Sequence, residues 1–102
     1  MKAFLIVKGE VQGVGFRAYA ARLAQQFSLA GLAKNEYDGS VRLFLDGDEK
    51  NVDIFIKTIK ARKQSGFFGM RVDDVKVFLE GESGFEPAWR KYVGFEIDAF
   101  DF

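Results

Sequence analysis

The chain has 102 residues, 48 % of them apolar, and its fifteen basic and fifteen acidic residues cancel. This size predicts a single domain, 1-102, around one core, and the balanced charge leaves no broad positive field, so no nucleic-acid partner is expected. Cysteine and histidine are absent, which excludes disulfides, thiol chemistry, most zinc sites and any general base built on imidazole.

The opening run Met1 to Lys8 is too short for a signal peptide or a membrane span, so a soluble, cytoplasmic protein with no membrane partner is expected. Ala3 to Lys8 is a continuous β-branched and aromatic run, the pattern of a central strand buried on both faces. Directly after it comes the loop Gly9-Glu10-Val11-Gln12-Gly13-Val14-Gly15-Phe16-Arg17. From Phe16 onward Ala20, Leu23, Ala24 and Phe27 recur at helical spacing opposite Arg22, Gln25 and Gln26. They predict one amphipathic helix, starting near Arg17 and ending between Ser28 and Gly31. Leu32 to Tyr37 has the pattern of a strand, Asp38-Gly39 that of a two-residue hairpin turn, and Val41, Leu43 and Leu45 mark one face of the returning strand.

Asp46-Gly47-Asp48 ends that strand. Val52, Phe55, Ile56 and Ile59 then form the apolar stripe of a second helix starting near Asp48, whose exposed side carries Lys57, Lys60, Arg62 and Lys63. The helix dipole accounts for these cations near the C-terminal end, and a phosphate-binding patch is the alternative. Val72, Val75, Val77 and Leu79 predict a fourth strand, with a slip between Val72 and Val75 that implies a bulge or a late start. Val93, Phe95 and Ile97 alternate as a last strand. The order β-α-β-β-α-β, with this last strand after it, predicts an α+β two-layer sandwich, a mostly antiparallel sheet of four or five strands with two helices on one face. Phe67, Phe68, Phe85, Trp89, Phe100 and Phe102 are expected in the core rather than on a dimer surface. A monomer is the expected state and a dimer the alternative.

The glycine loop carries the chemistry. Ordinary helix starts satisfy their free N–H groups with Ser, Thr, Asp or Asn and avoid a cation in the first turn, where the dipole is positive. Here no capping side chain is present and Arg17 stands where the helix begins. Such an arrangement is unfavourable when empty and favourable once a phosphate or carboxylate lies among the N–H groups. A bound oxyanion is predicted, with phosphate-binding groups at Gln12, Gly13, Val14, Gly15, Phe16 and Arg17.

Two stretches together resemble a known family. Gly9 and Val11 to Val14 followed by Phe16-Arg17 are similar to the first signature of the acylphosphatases. Gly31-Leu32-Ala33-Lys34-Asn35 through Gly39-Ser40-Val41 to Gly47 is similar to the second. The resemblance extends over essentially the whole chain in length and element order. It implies a ferredoxin-like fold and hydrolysis of the carboxyl-phosphate bond of acyl phosphates to carboxylate and phosphate, without metal and without cofactors. It further implies that Arg17 is the phosphate-binding arginine and Asn35 the asparagine that positions the attacking water. The small-molecule partners are then an acyl phosphate substrate, with inorganic phosphate or another oxyanion as product and inhibitor.

The residues suit this chemistry. An acyl phosphate is already activated, so transfer to water needs positioning and charge stabilisation more than a strong base. The guanidinium of Arg17 can bind two phosphoryl oxygens, and the amide of Asn35 can orient a water through one donor and one acceptor. Blander alternatives stand beside each residue: a plain tight turn for Gly13 and Gly15, an ion pair with Glu10 or Asp38 for Arg17, and a hairpin-flanking role for Asn35. Gly13-Val14-Gly15-Phe16-Arg17-Ala18 also fits a dinucleotide fingerprint, but that motif needs its first glycine at the strand end and parallel strands beyond. A non-catalytic anion-binding or regulatory module on the same fold is the alternative function. Departures from the family pattern are Leu32 in place of an aromatic residue, Glu10 beside the anion site, the 66–70 connection and a lengthened 80–92 segment.

Overall fold

A computed structural model describes residues 1–62, 69–88 and 91–98. The elements in chain order are β1 (Lys2–Glu10), α1 (Phe16–Gln26), β2 (Ala30–Asn35), β3 (Val41–Asp46), α2 (Glu49–Lys60), β4 (Arg71–Leu79) and β5 (Phe95–Ile97). They form a five-stranded sheet in the order β4-β1-β3-β2-β5. All neighbours run antiparallel except β2 and β5, which are parallel. This is the expected ferredoxin-like α+β sandwich.

β1 lies between β4 and β3, and Ala3, Phe4 and Leu5 are buried in succession, as the unbroken apolar run implies. Ala3, Leu5 and Val7 share one core with Leu43 and Leu45 of β3, with Phe16, Ala20 and Ala24 of α1, and with Val52, Phe55 and Ile59 of α2. Both helices therefore cover the same sheet face. The expected slip in β4 is present: Lys8 pairs with Asp74 and Gly9 with Val72, so Asp73 is the extra residue. A Cβ on Gly9 would stand 2.2 Å from the carbonyl oxygen of Arg71; only glycine permits this approach.

The helices begin differently. α2 has an ordinary start, with the Asp48 carboxylate accepting from the N–H of Lys50 at 2.9 Å, Glu49 in the first turn, and Lys57 and Lys60 in the last, each favourable to the dipole. α1 starts at Gly15 with no side-chain cap and no acidic residue in its first turn.

Several boundaries differ from expectation. β1 runs on to Glu10, two residues into the stretch read as loop, and α1 ends at Gln26, before Ser28. β2 runs from Ala30 to Asn35 rather than from Leu32 to Tyr37, because Ala30 pairs with Asp46 and the ladder ends at Asn35 and Val41. The hairpin loop has three residues rather than two. The Glu36 N–H bonds the Ser40 carbonyl at 2.9 Å, leaving Tyr37, Asp38 and Gly39 between, with Gly39 at φ 90°; this is the three-residue hairpin that closes on a left-handed residue. β5 starts at Phe95, and Val93 is fully exposed instead of joining it.

The face of the sheet that the helices leave open is partly covered by residues 80–88 and 91–94. Phe85 and Tyr92 each lie 6.3 Å from Phe44, ring centre to ring centre, and Arg42 donates to Glu86 at 2.9 Å. The length of this segment is thus used in packing, although Phe85 is half-buried on this face and not part of the core expected for it. Phe67, Phe68, Trp89, Phe100 and Phe102 lie outside the described residues. No helix among the described residues is long and apolar enough to cross a membrane.

Candidate active site

Gly13 and Gly15 take φ of 75° and 79°, and a Cβ on either would meet nothing within 4 Å. Their requirement is therefore conformational and not one of space, since left-handed backbone strains other residues. Two left-handed residues in close succession turn the chain sharply out of β1 and into α1. The N–H groups of Phe16, Arg17 and Ala18 have no carbonyl four residues upstream within the helix. A cleft of about 190 Å³ opens at this point, lined by Val11, Gly13, Gly15, Phe16, Arg17, Ala18 and Ile97. Phe16 is buried and anchors the helix start in the core.

Arg17 donates through Nη1 to the main-chain carbonyl of Asp98, just beyond β5. The Asp98 N–H in turn bonds the carbonyl of Ala33 in β2 at 2.9 Å. The Nη1 bond orients the guanidinium. Neither carboxylate first considered for Arg17 is turned to it as an evident counter-ion. Glu10 lies 4.0 Å from Arg71, and Asp38 is occupied by Ser40, whose N–H and hydroxyl reach its Oδ1 at 2.9 and 2.5 Å. These bonds, the hydroxyl's first, hold the Asp38 carboxyl below its ordinary pKa.

Gln12 does not line the cleft. Its Nε2 donates to the carbonyls of Glu36 and Ser40 at 2.7 and 2.9 Å, clamping the loop to the β2-β3 hairpin. Val14 packs against the core and lines an adjoining cleft. Asn35 ends β2 on its buried face, 5 % exposed, opposite Val41; it too lies outside the lining of the cleft. It is flanked along the chain by both tethers: Glu36 receives Gln12, and Ala33 holds the Asp98 that holds Arg17. The hairpin therefore brings the strand of Asn35 against the loop.

The sequence gives no sign of the carbonyl of Asp98 or of Ile97 as parts of this site, since a main-chain acceptor can belong to any residue. Among the described residues no three His, Cys, Asp or Glu side chains cluster as a metal site would need.

The family model for acylphosphatases matches residues 3–97. An acylphosphatase of Clostridium acetobutylicum is 43 % identical over 76 residues, covering 74 % of this chain and 79 % of the relative. One of Oceanobacillus iheyensis is 44 % identical over 54 residues, a match that spans 59 % of that relative's length. The crystal structure of acylphosphatase from Bacillus subtilis superposes with a TM-score of 0.75 at 31 % identity, covering 95 % of this chain and 97 % of the other. The chain belongs to the acylphosphatase family and is an enzyme of that class.

Proposed function

We propose that this chain hydrolyses the carboxyl-phosphate bond of acyl phosphates, with the phosphoryl group held by the 12–17 loop and Arg17. The observation that carries this reading is the start of α1, a left-handed, uncapped glycine turn with no acidic residue in the first turn and a cleft that Arg17 lines. N–H groups and a guanidinium converging on one cleft suit the three equatorial oxygens of a phosphoryl group in flight.

In this mechanism water attacks phosphorus, the bond from phosphorus to the acyl oxygen breaks, and the carboxylate leaves with the bonding electrons. Arg17 takes two phosphoryl oxygens as charge spreads over them. Asn35 aligns the water through its amide, and the water's proton passes to a phosphate oxygen of the substrate, so no protein base is required. The buried position of Asn35, between the two tethers that bind its strand to the loop, supports that role.

Phosphate release from benzoyl phosphate, with a phosphate monoester as control, tests this function. Release from the acyl phosphate alone is expected, unaffected by chelators and inhibited competitively by inorganic phosphate. Activity lost with chelator and restored by a metal ion would sink the mechanism, and equal hydrolysis of the ester would sink the substrate class.

A further inference from the structure

A second cleft, of about 340 Å³, adjoins the phosphate cleft and shares Gly15 and Ala18 with it. Its other lining residues include Tyr19, Arg22, Arg62 and Met70. Arg62 follows the end of α2 and, instead of extending into solvent beside the helix terminus, lies with its guanidinium 4.8 Å from the centre of the Tyr19 ring. Its Nε donates to the sulfur of Met70 at 3.1 Å. Stacked on one face and pinned at Nε, the guanidinium is pre-oriented and keeps its two amino groups as donors. Arg22 comes four residues after Ala18 in α1, on the same helix face, and so joins the wall that Ala18 begins.

Two other arginines stand in contrast. Arg42 is matched by Glu36 and Glu86, and Arg71 by Asp73 and Glu10. Arg22 and Arg62 have no carboxylate partner among the described residues, and no acidic side chain lines their cleft among those residues. In a chain of zero net charge, two uncompensated guanidinium groups meet beside the cleft already assigned to a phosphoryl group.

We infer that this second cleft receives the acyl part of the substrate and selects acyl groups carrying a second oxyanion, a carboxylate or phosphate remote from the scissile bond. The inference rests on the phosphate assignment above and deepens it. An acyl group must leave the phosphoryl site in some direction, and this cleft opens from the same two residues, Gly15 and Ala18, at the start of α1. Tyr19 and Met70 supply apolar wall for its carbon skeleton, and the arginines supply the charge.

The test compares benzoyl phosphate with 4-carboxybenzoyl phosphate, which differ by one remote charge. For the parent protein kcat/KM should favour the carboxylated substrate about ten-fold at low salt, two partly exposed pairs each contributing a few-fold, and the preference should shrink as salt screens it. Arg22→Gln and Arg62→Gln should each lower the ratio, and the double variant should bring it to about one. A parent ratio near one, or a preference that survives both substitutions, overturns the inference. The corresponding benzoylphosphonates, which cannot be hydrolysed, separate the two levels of argument by calorimetry. If neither acyl phosphate turns over but the carboxylated phosphonate binds more tightly through both arginines, the hydrolytic assignment fails and the subsite stands. Equal dissociation constants overturn the subsite whatever the turnover.

Discussion

The side-chain amide of Gln12 lies 2.7 Å from the carbonyl oxygen of Glu36, across a sequence separation of 24 residues, and reaches Ser40 with its second hydrogen. One residue thereby joins the 12–17 loop to the turn that follows Asn35. Each carbonyl also accepts from a turn N–H, that of Gly39 or of Glu36, so neither is stranded when Gln12 is removed. Gln12→Ala should therefore cost only about 1 kcal/mol of stability, seen as a lower denaturant midpoint with an unchanged slope. Its effect on turnover should be larger, about ten-fold or more in kcat, because the loop would no longer be fixed relative to the strand of Asn35. A loss of stability with kcat intact would make the clamp structural only.

Arg17 is half-buried at the cleft and lies outside the buried core cluster, so Arg17→Ala should leave the fold intact by circular dichroism while abolishing both turnover and inorganic phosphate binding. Arg17→Lys separates charge from geometry. A lysine keeps the cation but loses the fork that can hold the Asp98 carbonyl and the phosphoryl oxygens together, so it should retain weak phosphate binding and little turnover. Normal phosphate affinity in the alanine variant would move the anion site elsewhere.

Most of the architecture is legible in the sequence because it depends on side-chain periodicity. The double-sided burial of β1, the stripes of both helices and the odd spacing between Val72 and Val75 each state their structure directly. What is not legible depends on partners. Ala30 and Gly31 carry no strand signal and join β2 because β3, and for Gly31 also β5, offers them a ladder. Asp38-Gly39 indicates a tight turn but not its length, which is set where the Asp38 carboxylate takes Ser40. Val93 continues the alternation of β5 and yet lies outside it. The unusual start of α1 is legible because Gly15 and Arg17 break the rules of helix capping. Their supports, a side-chain amide and a main-chain carbonyl, break no rule and leave no trace.

The Asp38 turn gives the hairpin a pH dependence. Its folded-state pKa is lowered from the ordinary 3.8, chiefly by the Ser40 hydroxyl and then by the Ser40 N–H. A depressed carboxyl contributes stability that is present above the unfolded pKa and is lost as pH falls through the folded one. The turn should therefore hold at neutral pH and loosen only below the usual carboxylate range. The Ser40 amide should lose hydrogen-exchange protection there, and Asp38→Asn should remove the dependence. Loosening at a higher pH than this would show that another group governs the turn.

Gly15 tests whether backbone shape or mere small size matters at the start of α1. A methyl group there would touch nothing within 4 Å, but the φ of 79° is unfavourable for any residue with a Cβ. Gly15→Ala should cost about 1–2 kcal/mol and weaken phosphate binding by re-aiming the N–H groups of the first turn. Unchanged affinity would show that these N–H groups are not part of the cradle.

Asn35 separates binding from chemistry. If its amide serves only to align water, its contribution belongs to the transition state and not to the ground-state complex. Asn35→Ala should then reduce kcat by about a hundred-fold or more, the scale of a lost positioning contact, while the dissociation constant of inorganic phosphate changes little. Asn35→Asp should be comparably inactive, because a carboxylate keeps the volume but lacks the donor and repels a phosphate. Asn35 is buried in β2, so stability must be measured in parallel, and activity compared at a temperature where both variants are fully folded. Under those conditions a kcat within a few-fold of the parent for Asn35→Ala would falsify the water-positioning role and leave the residue a polar terminus of its strand. Loss of phosphate affinity together with kcat would instead place Asn35 in the anion cradle beside Arg17.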